Sequence, residues 1–515
     1  MTCWLKNAVF YEIYPQSFYD SNSDGIGDLL GITLKLDYIR SLGCNAIWIN
    51  PIYDSPFLDA GYDVRDHKRI APRYGSMDDL LHLLDEAHRR DMKILLDLVP
   101  GHTSDTHEWF QHAKRAEHSE LSDRYIFTDR VWEAPDEYRL VCGMCERDGN
   151  YMVNFFSSQP ALNYGFYEVT HPSWQKSADS PEARATVEAL KDVMRFWLDQ
   201  GVDGFRVDMA DSLVKNDEQK IATARIWREI RQMMDDHYPG CVLVSEWSSP
   251  HRAIASAGFH ADFYLDHPNN GYHHLFRSKY GEENASFFAD HAHGDIRLFL
   301  DEYLPAYEVS KDKGYISFIT NNHDMPRAPF YMSDDIIRLT HAFIMTMPGV
   351  PFVYYGDEIG MRYRTDLVSK EGGYSRTGSR TPMQWNHEKN LGFSDADEDM
   401  LYLPYDHSED APTVESQEGV EGSIYENLRA LIRLRRENPE LMNDSGFEVI
   451  FGEREQYPFV YRRGSFTAFV NPSDDAHTLD YRRNGAAIAY QIGGCDFGDD
   501  TVTIGGRSFL LLKAE

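Results

Sequence analysis

Four short stretches carry an acid or a histidine where an apolar run gives way to polar residues. They are "DLVPGHTSD" (97–105), "GFRVD" (204–208), "VSEW" (244–247) and "ITNNHDMPR" (319–327). Together they supply Asp208, Glu246 and Asp324, with His102 and His323 beside them. Arg206 stands two residues before Asp208, and alternate residues of a strand share a face, so guanidinium and carboxylate point the same way. An isolated acid at a strand end often caps the next helix. Several strand ends delivering acids and histidines together ask for another explanation. The chain has no glycine-rich phosphate loop and no His-x-x-x-His zinc pattern. Three converging carboxylates without either suit the cleavage of a glycosidic bond. One attacks or stabilises the anomeric carbon, a second, kept protonated, donates to the leaving oxygen, and a third steadies an oxocarbenium-like transition state.

Something must bring these stretches together. Eight apolar runs recur along the chain, at 8–15, 46–51, 94–100, 204–208, 241–246, 263–266, 315–320 and 351–356. Between them, runs such as "MDDLLHLLDEAHRRD" and "ARATVEALKDVMRFWLDQG" show apolar residues at i, i+3 and i+4, the helical spacing. Eight strand-then-helix units predict an α/β fold, a (β/α)₈ TIM barrel, whose active site lies at the C-terminal ends of the strands. About 85 residues separate strand three from the helix near Thr186, too many for an ordinary βα loop. A small inserted domain is therefore expected over 103–172, with the barrel formed by 1–102 and 173–440. After "SIYENLRALIRLRREN" the helical pattern stops and short alternating strands follow, which predicts an antiparallel β-sandwich over 441–515.

The 515 residues carry 83 acidic and 51 basic side chains, a formal net charge of −32. Such a chain repels phosphate backbones and anionic membranes, so neither nucleic acid nor membrane is expected as a partner. No apolar run approaches about 18 residues, and the N-terminus "MTCWLKNAVFYEIYP" reads as a strand start, not a signal peptide. Of six cysteines only Cys142 and Cys145 are close-spaced, with no second pair to complete a zinc site. Reduced thiols in a cytoplasmic protein, acting as a monomer or weak homo-oligomer, fit this usage.

One further stretch gathers oxygen ligands. In "DSNSDGIGD" (20–28), Asp20, Asn22, Asp24 and Asp28 fall at alternating positions with Gly25 at the bend, the spacing a hard cation asks for. It begins like an EF-hand loop, but the twelfth position is Gly31 where a bidentate Glu would be needed. From these residues alone, a calcium site and a solvated polar turn are both open.

The ordered motifs "GYDVRDH", "DLVPGHTSD", "GFRVD", "SEW", "NNHD" and "SRTPMQW" resemble those of the α-amylase family, glycoside hydrolase family thirteen, in its α-glucosidase and oligo-1,6-glucosidase branch. The resemblance spans essentially the whole chain. It implies Asp208 as nucleophile, Glu246 as general acid/base and Asp324 as transition-state stabiliser. His102, His323 and Arg206 would bind the attacked sugar and Tyr62 would stack on it. It also implies a structural calcium ion held by Asp20, Asn22, Asp24, the Ile26 carbonyl and Asp28. Matched to the exo-acting members, Asp59 and Arg380 would pair at the pocket floor and grip a terminal hydroxyl, as a bidentate Arg–carboxylate pair can. The expected activity is that of a retaining exo-α-glucosidase acting on short α-glucosides. Three departures bear on substrate choice: Gly101 for the usual Asn, Ala161 for an acid in "QPALN", and Met209 after the nucleophile. A transglucosylase or isomerase such as trehalose synthase shares the catalytic set. Non-catalytic transporter heavy chains also resemble the family, but they carry a membrane span, and some lack the carboxylates intact here.

Overall fold

A computed structural model of the chain describes residues 3–265, 270–277, 279–280, 283–291 and 293–514. Its centre is an eight-stranded parallel sheet. The strands are β1 (Phe10–Ile13), β2 (Ala46–Ile49), β3 (Lys93–Leu98), β4 (Gly204–Val207), β5 (Val242–Ser245), β6 (Ala261–Phe263), β7 (Tyr315–Ser317) and β8 (Phe352–Tyr354). They run β7-β6-β5-β4-β3-β2-β1-β8, each pair parallel. Between the two ends the Phe352 amide donates to the Phe318 carbonyl at 3.4 Å, so the barrel is nearly closed. Seven of the eight predicted runs hold a strand, the third lacking only its first residue, Lys93, while the sixth run holds only the last residue of its strand. The sixth strand lies earlier than expected, at 261–263, and Asp266 of that run falls outside the described residues.

These strands are apolar on both faces because both are covered, by barrel interior within and helices without. Trp48, Phe263 and Phe352 fill the interior, with ring centroids 5.5 Å and 4.6 Å apart in turn. The predicted helices form at Met77–Arg89, Pro181–Asp199 and Ile424–Glu437. Ser76 and Asp79 make a reciprocal capping box for the first, and Ser180 followed by Pro181 starts the second. Gly204 opens β4 at φ 144°, where a Cβ would come within 2.1 Å of the Val242 carbonyl oxygen. Only glycine lets β4 and β5 approach there.

Between β3 and the helix at Pro181 the chain forms a short helix, Glu108–Ala113, and a two-stranded hairpin, Leu140–Val141 with Tyr151–Met152. Ile126, Met152, Ala161, Phe166 and Trp174 form a small apolar cluster of its own. Isolated bridges, His102 to Ala161 and Phe166 to Lys215, stitch this segment to the loops after β3 and β4.

The C-terminal part contains β9 (Glu448–Phe451), β10 (Phe459–Arg463), β11 (Phe466–Asn471), β12 (His477–Asp480), β13 (Ala487–Ile492), β14 (Cys495–Phe497), β15 (Thr501–Ile504) and β16 (Ser508–Lys513). They make antiparallel sheets of five strands (β9-β10-β11-β16-β13) and three strands (β12-β15-β14). Val460, Phe469, Leu510 and Leu512 from the larger sheet meet Val502 and Ile504 from the smaller in one buried cluster.

Candidate active site

The register of β3, β4 and β5 brings the charged residues together. Asp97 sits opposite Arg206, and Arg206 opposite Val244, so the guanidinium lies among three strand ends. Arg206 is 1 % exposed. Its Nη1 donates to Asp97 Oδ1 at 2.8 Å and to Asp208 Oδ1 at 3.2 Å, while Nη2 lies 2.7 Å from Glu246 Oε2. One cation thus holds the Asp208 and Glu246 carboxyls side by side. Met209 adopts a left-handed conformation at φ 39°, which turns its amide onto Glu246 Oε2 at 2.9 Å. Glu246 Oε2 therefore has one hydrogen-bond donor, the Met209 amide, and an ion pair with Arg206. Among the described residues neither Oε1 of Glu246 nor Oδ2 of Asp208 has a hydrogen-bond partner.

Burial, and then the neighbouring Glu246, push the Asp208 carboxyl well up, with Arg206 opposing. Burial likewise raises Asp97, to about 6, against the pull of Arg206 and Tyr62. Asp324 goes the other way. Burial would raise it, but His323, Arg376 and Arg380 together hold it well below the usual carboxylate range. Burial pushes His323 itself down to about 3, so near neutral pH the two guanidiniums carry the positive charge.

His323 Nδ1 lies 2.8 Å from Glu12 Oε1, and its Nε2 lies 2.8 Å from the Tyr62 hydroxyl. Tyr62 donates its one proton to Asp97 at 2.9 Å, so His323 Nε2 is the donor to Tyr62. Nδ1 is then the acceptor and Glu12 the donor, consistent with burial raising the Glu12 carboxyl well above its ordinary value. The Tyr62 ring stacks on His323 with centroids 5.4 Å apart. His102 is buried, which lowers it to about 4, and its Nε2 donates to the Tyr62 carbonyl at 3.2 Å.

Asp59, Tyr62, His102, Phe155, Asp208, Met209, Glu246, Asp324 and Arg376 line one pocket. This gathers nearly all the residues singled out from sequence, with Arg206 and His323 just beneath. The expected Asp59–Arg380 pair does not form. Arg376 takes that place: its Nη2 lies 3.1 Å from Asp59 Oδ1 and its Nη1 3.0 Å from Asp324 Oδ1. Gln159 donates to the other Asp59 oxygen at 2.7 Å. Arg380 instead donates to Asp324 Oδ1 at 2.9 Å and to the His323 carbonyl at 2.9 Å from beneath the pocket. The cause is local. The tripeptide Ser-Arg-Thr occurs twice, at 375–377 and 379–381, and the 3₁₀ turn Tyr374–Ser379 presents the first arginine to the pocket and buries the second.

In the Asp20–Asp28 loop the side chains serve the loop's own backbone. Asp20 accepts from the Asn22, Ser23 and Gly25 amides, Asn22 from Asp24, and Asp24 from Ile26. Asp28 caps the following helix through the Gly31 amide at 2.6 Å. Among the described residues no three His, Cys, Asp or Glu side chains group as a metal site. A cation here would also need the Asn22 amide and Ile26 carbonyl oxygens. The donor set is all oxygen, which a hard cation takes, but each carboxylate oxygen of Asp20 and Asp28 already accepts two hydrogen bonds, so a bound cation would have to displace some of them.

A parallel barrel with acids, an arginine and histidines at its strand ends is a fold and site that glycoside hydrolases use. The alpha-amylase catalytic domain profile matches residues 12–444, and the chain belongs to that family, in its α-glucosidase branch. It is 36% identical over 444 residues to "Trehalose synthase/amylase TreS" of Mycolicibacterium smegmatis, covering 78% of this chain and 70% of that one. It is 32% identical over 525 residues to "Probable oligo-1,6-glucosidase 2" of Bacillus subtilis, covering 90% and 88%. An isomaltulose synthase mutant from Erwinia rhapontici superposes with a TM-score of 0.82 at 23% identity over 99% of both chains, a likeness of fold. Among the described residues no helix is long and apolar enough to cross a membrane.

Proposed function

We propose that the protein is a retaining, exo-acting α-glucosidase that removes single glucose units from short α-glucosides in the cytoplasm. The observation that carries this reading is the Asp59–Arg376–Asp324 bridge. Its three residues line the same pocket as Asp208 and Glu246, an arrangement that suits one terminal sugar ring.

In this reading Asp208 Oδ2 attacks the anomeric carbon while the bond to the leaving oxygen breaks. That oxygen takes the bonding pair and the proton carried on Glu246 Oε1, the oxygen without a donor. Glu246, now a carboxylate, takes a proton from water, whose oxygen attacks the same carbon and releases Asp208. Asp324, kept ionised by two guanidiniums, opposes the positive charge that develops on the ring. The buried Tyr62–His323 stack forms a wall against which the ring can lie.

A second reading, transfer of the glucosyl unit to a sugar hydroxyl instead of water, is favoured by the likeness to a trehalose synthase. Incubation with maltose, isomaltose, sucrose, trehalose and maltotriose, with identification of products, separates the two. Glucose as the main product supports hydrolysis; trehalose or longer sugars support transfer. We also assign calcium to the Asp20–Asp28 loop as a structural ion, supported by its alternating oxygen-bearing residues.

A further inference from the structure

Asn154 is the last residue before Phe155, which lines the pocket, and its side chain joins three loops. Nδ2 donates to the Gly101 carbonyl at 2.8 Å and lies 3.5 Å from His102 Nδ1. Oδ1 accepts from Lys215 Nζ at 3.0 Å, and the same ammonium donates to the Ser212 carbonyl at 2.8 Å. Lys215 is held by backbone as well: its amide donates to Gly165 and its carbonyl accepts from Tyr167. One amide thus ties the loop bearing His102 to the segment bearing Phe155 and to the loop that follows Asp208 and Met209.

The site is built around a missing side chain. A Cβ on Gly101 would come within 2.7 Å of Asn154 Nδ2 and 3.3 Å of Ser212 Oγ, both ends of side chains. Glycine at 101 is what leaves room for the Asn154 amide. Lys215 is partly buried, which lowers it to about 8, a cost that its two oxygen partners offset. We infer that Asn154 and Lys215 are positioning residues, acting through Gly101 and His102, that set the pocket wall opposite Asp324 for the sugar ring. This inference rests on the α-glucoside reading of the pocket.

The test is a double-mutant cycle on kcat and KM for maltose, with thermal melting alongside. Gly101→Ala needs no unusual backbone angle; it displaces the Asn154 amide and crowds Ser212 Oγ only slightly. We expect Gly101→Ala and Asn154→Ala each to lower kcat/KM about 10-fold or more with melting nearly unchanged, since small misplacements near the chemistry are costly. The double variant should be no worse than Asn154→Ala, because the group that the new Cβ displaces is already gone. Lys215→Met should be similarly non-additive with Asn154→Ala. Independently of activity, nitrogen NMR should show the His102 Nδ1 resonance shifted in Asn154→Ala, with Nε2 still protonated toward the Tyr62 carbonyl. Additive losses, wild-type kcat/KM in Gly101→Ala, or an unchanged His102 Nδ1 resonance would overturn the inference. A wild type inactive on every α-glucoside tried would instead overturn the functional reading beneath it, leaving the Nδ1 measurement to judge the clamp.

Discussion

The Asp59 carboxylate is paired with Arg376, at 3.1 Å, and not with Arg380 four residues further on. The pair is only partly desolvated, because the Arg376 side chain is 26% exposed, whereas that of Arg380 is 2% exposed. The two arginines therefore serve the same acid, Asp324, from opposite sides, one from the pocket and one from the core.

Arg376→Ala should lower kcat/KM on maltose by about 100-fold while leaving the melting temperature within a few degrees of wild type. Arg380→Ala leaves the buried His323 carbonyl without its donor while Asp324 keeps Arg376, and should destabilise the fold by about 1–3 kcal/mol. Steady-state kinetics with thermal melting reads both. If Arg376→Ala retains full kcat/KM, the Asp59–Arg376 bridge does not close the sugar site.

Glu246→Gln removes the proposed proton donor and keeps its shape. Turnover of maltose should fall by about 10²–10⁴-fold, and aryl glucosides with acidic leaving groups should lose far less, since they depart without protonation. Equal losses on both substrates would remove Glu246 from that role.

Double displacement requires the Asp208 and Glu246 carboxyl carbons to stand about 5–5.5 Å apart, and their sharing of one guanidinium fits such a spacing. Proton NMR of a fresh reaction should show α-glucose as the first product. Initial β-glucose would mean that water attacks directly.

Chelation of calcium should lower the melting temperature more than it lowers kcat, because an ion bound only by the folded chain stabilises it by mass action. Titration of the stripped protein with calcium should restore the melting point. No change on chelation or on adding calcium back would leave the Asp20–Asp28 loop a polar turn.

Glu358 is fully buried, and burial raises it to about 7 although Tyr11 and Tyr38 both donate to it. A carboxyl raised on folding binds its proton more tightly when folded. Its contribution is present below the unfolded value near 4.5 and is lost as pH rises through about 7. Glu358→Gln should therefore flatten the fall in stability between about pH 4.5 and 7, by on the order of 3 kcal/mol, without altering kcat. Denaturant melts across that range measure it.

Local pattern carried the fold a long way. Each barrel strand is a short apolar run, and the helices Met77–Arg89 and Pro181–Asp199 follow from 3.6-residue periodicity and Ser caps, both properties of neighbouring residues. The same locality explains why Asp208, Glu246 and Asp324 were legible, since strand ends in a parallel barrel converge whatever their loops do. What the chain order could not express was which partner each of these groups meets. Two Ser-Arg-Thr copies look alike in sequence, and only the turn at Tyr374–Ser379 decides that Arg376 faces Asp59 and Arg380 faces the core. Glu12 beneath His323, Gln159 against Asp59, and Asn154 in the space left by Gly101 come from positions far apart along the chain. Hydrogen bonds of this kind depend on ångström-scale packing of separate loops, which no periodicity encodes.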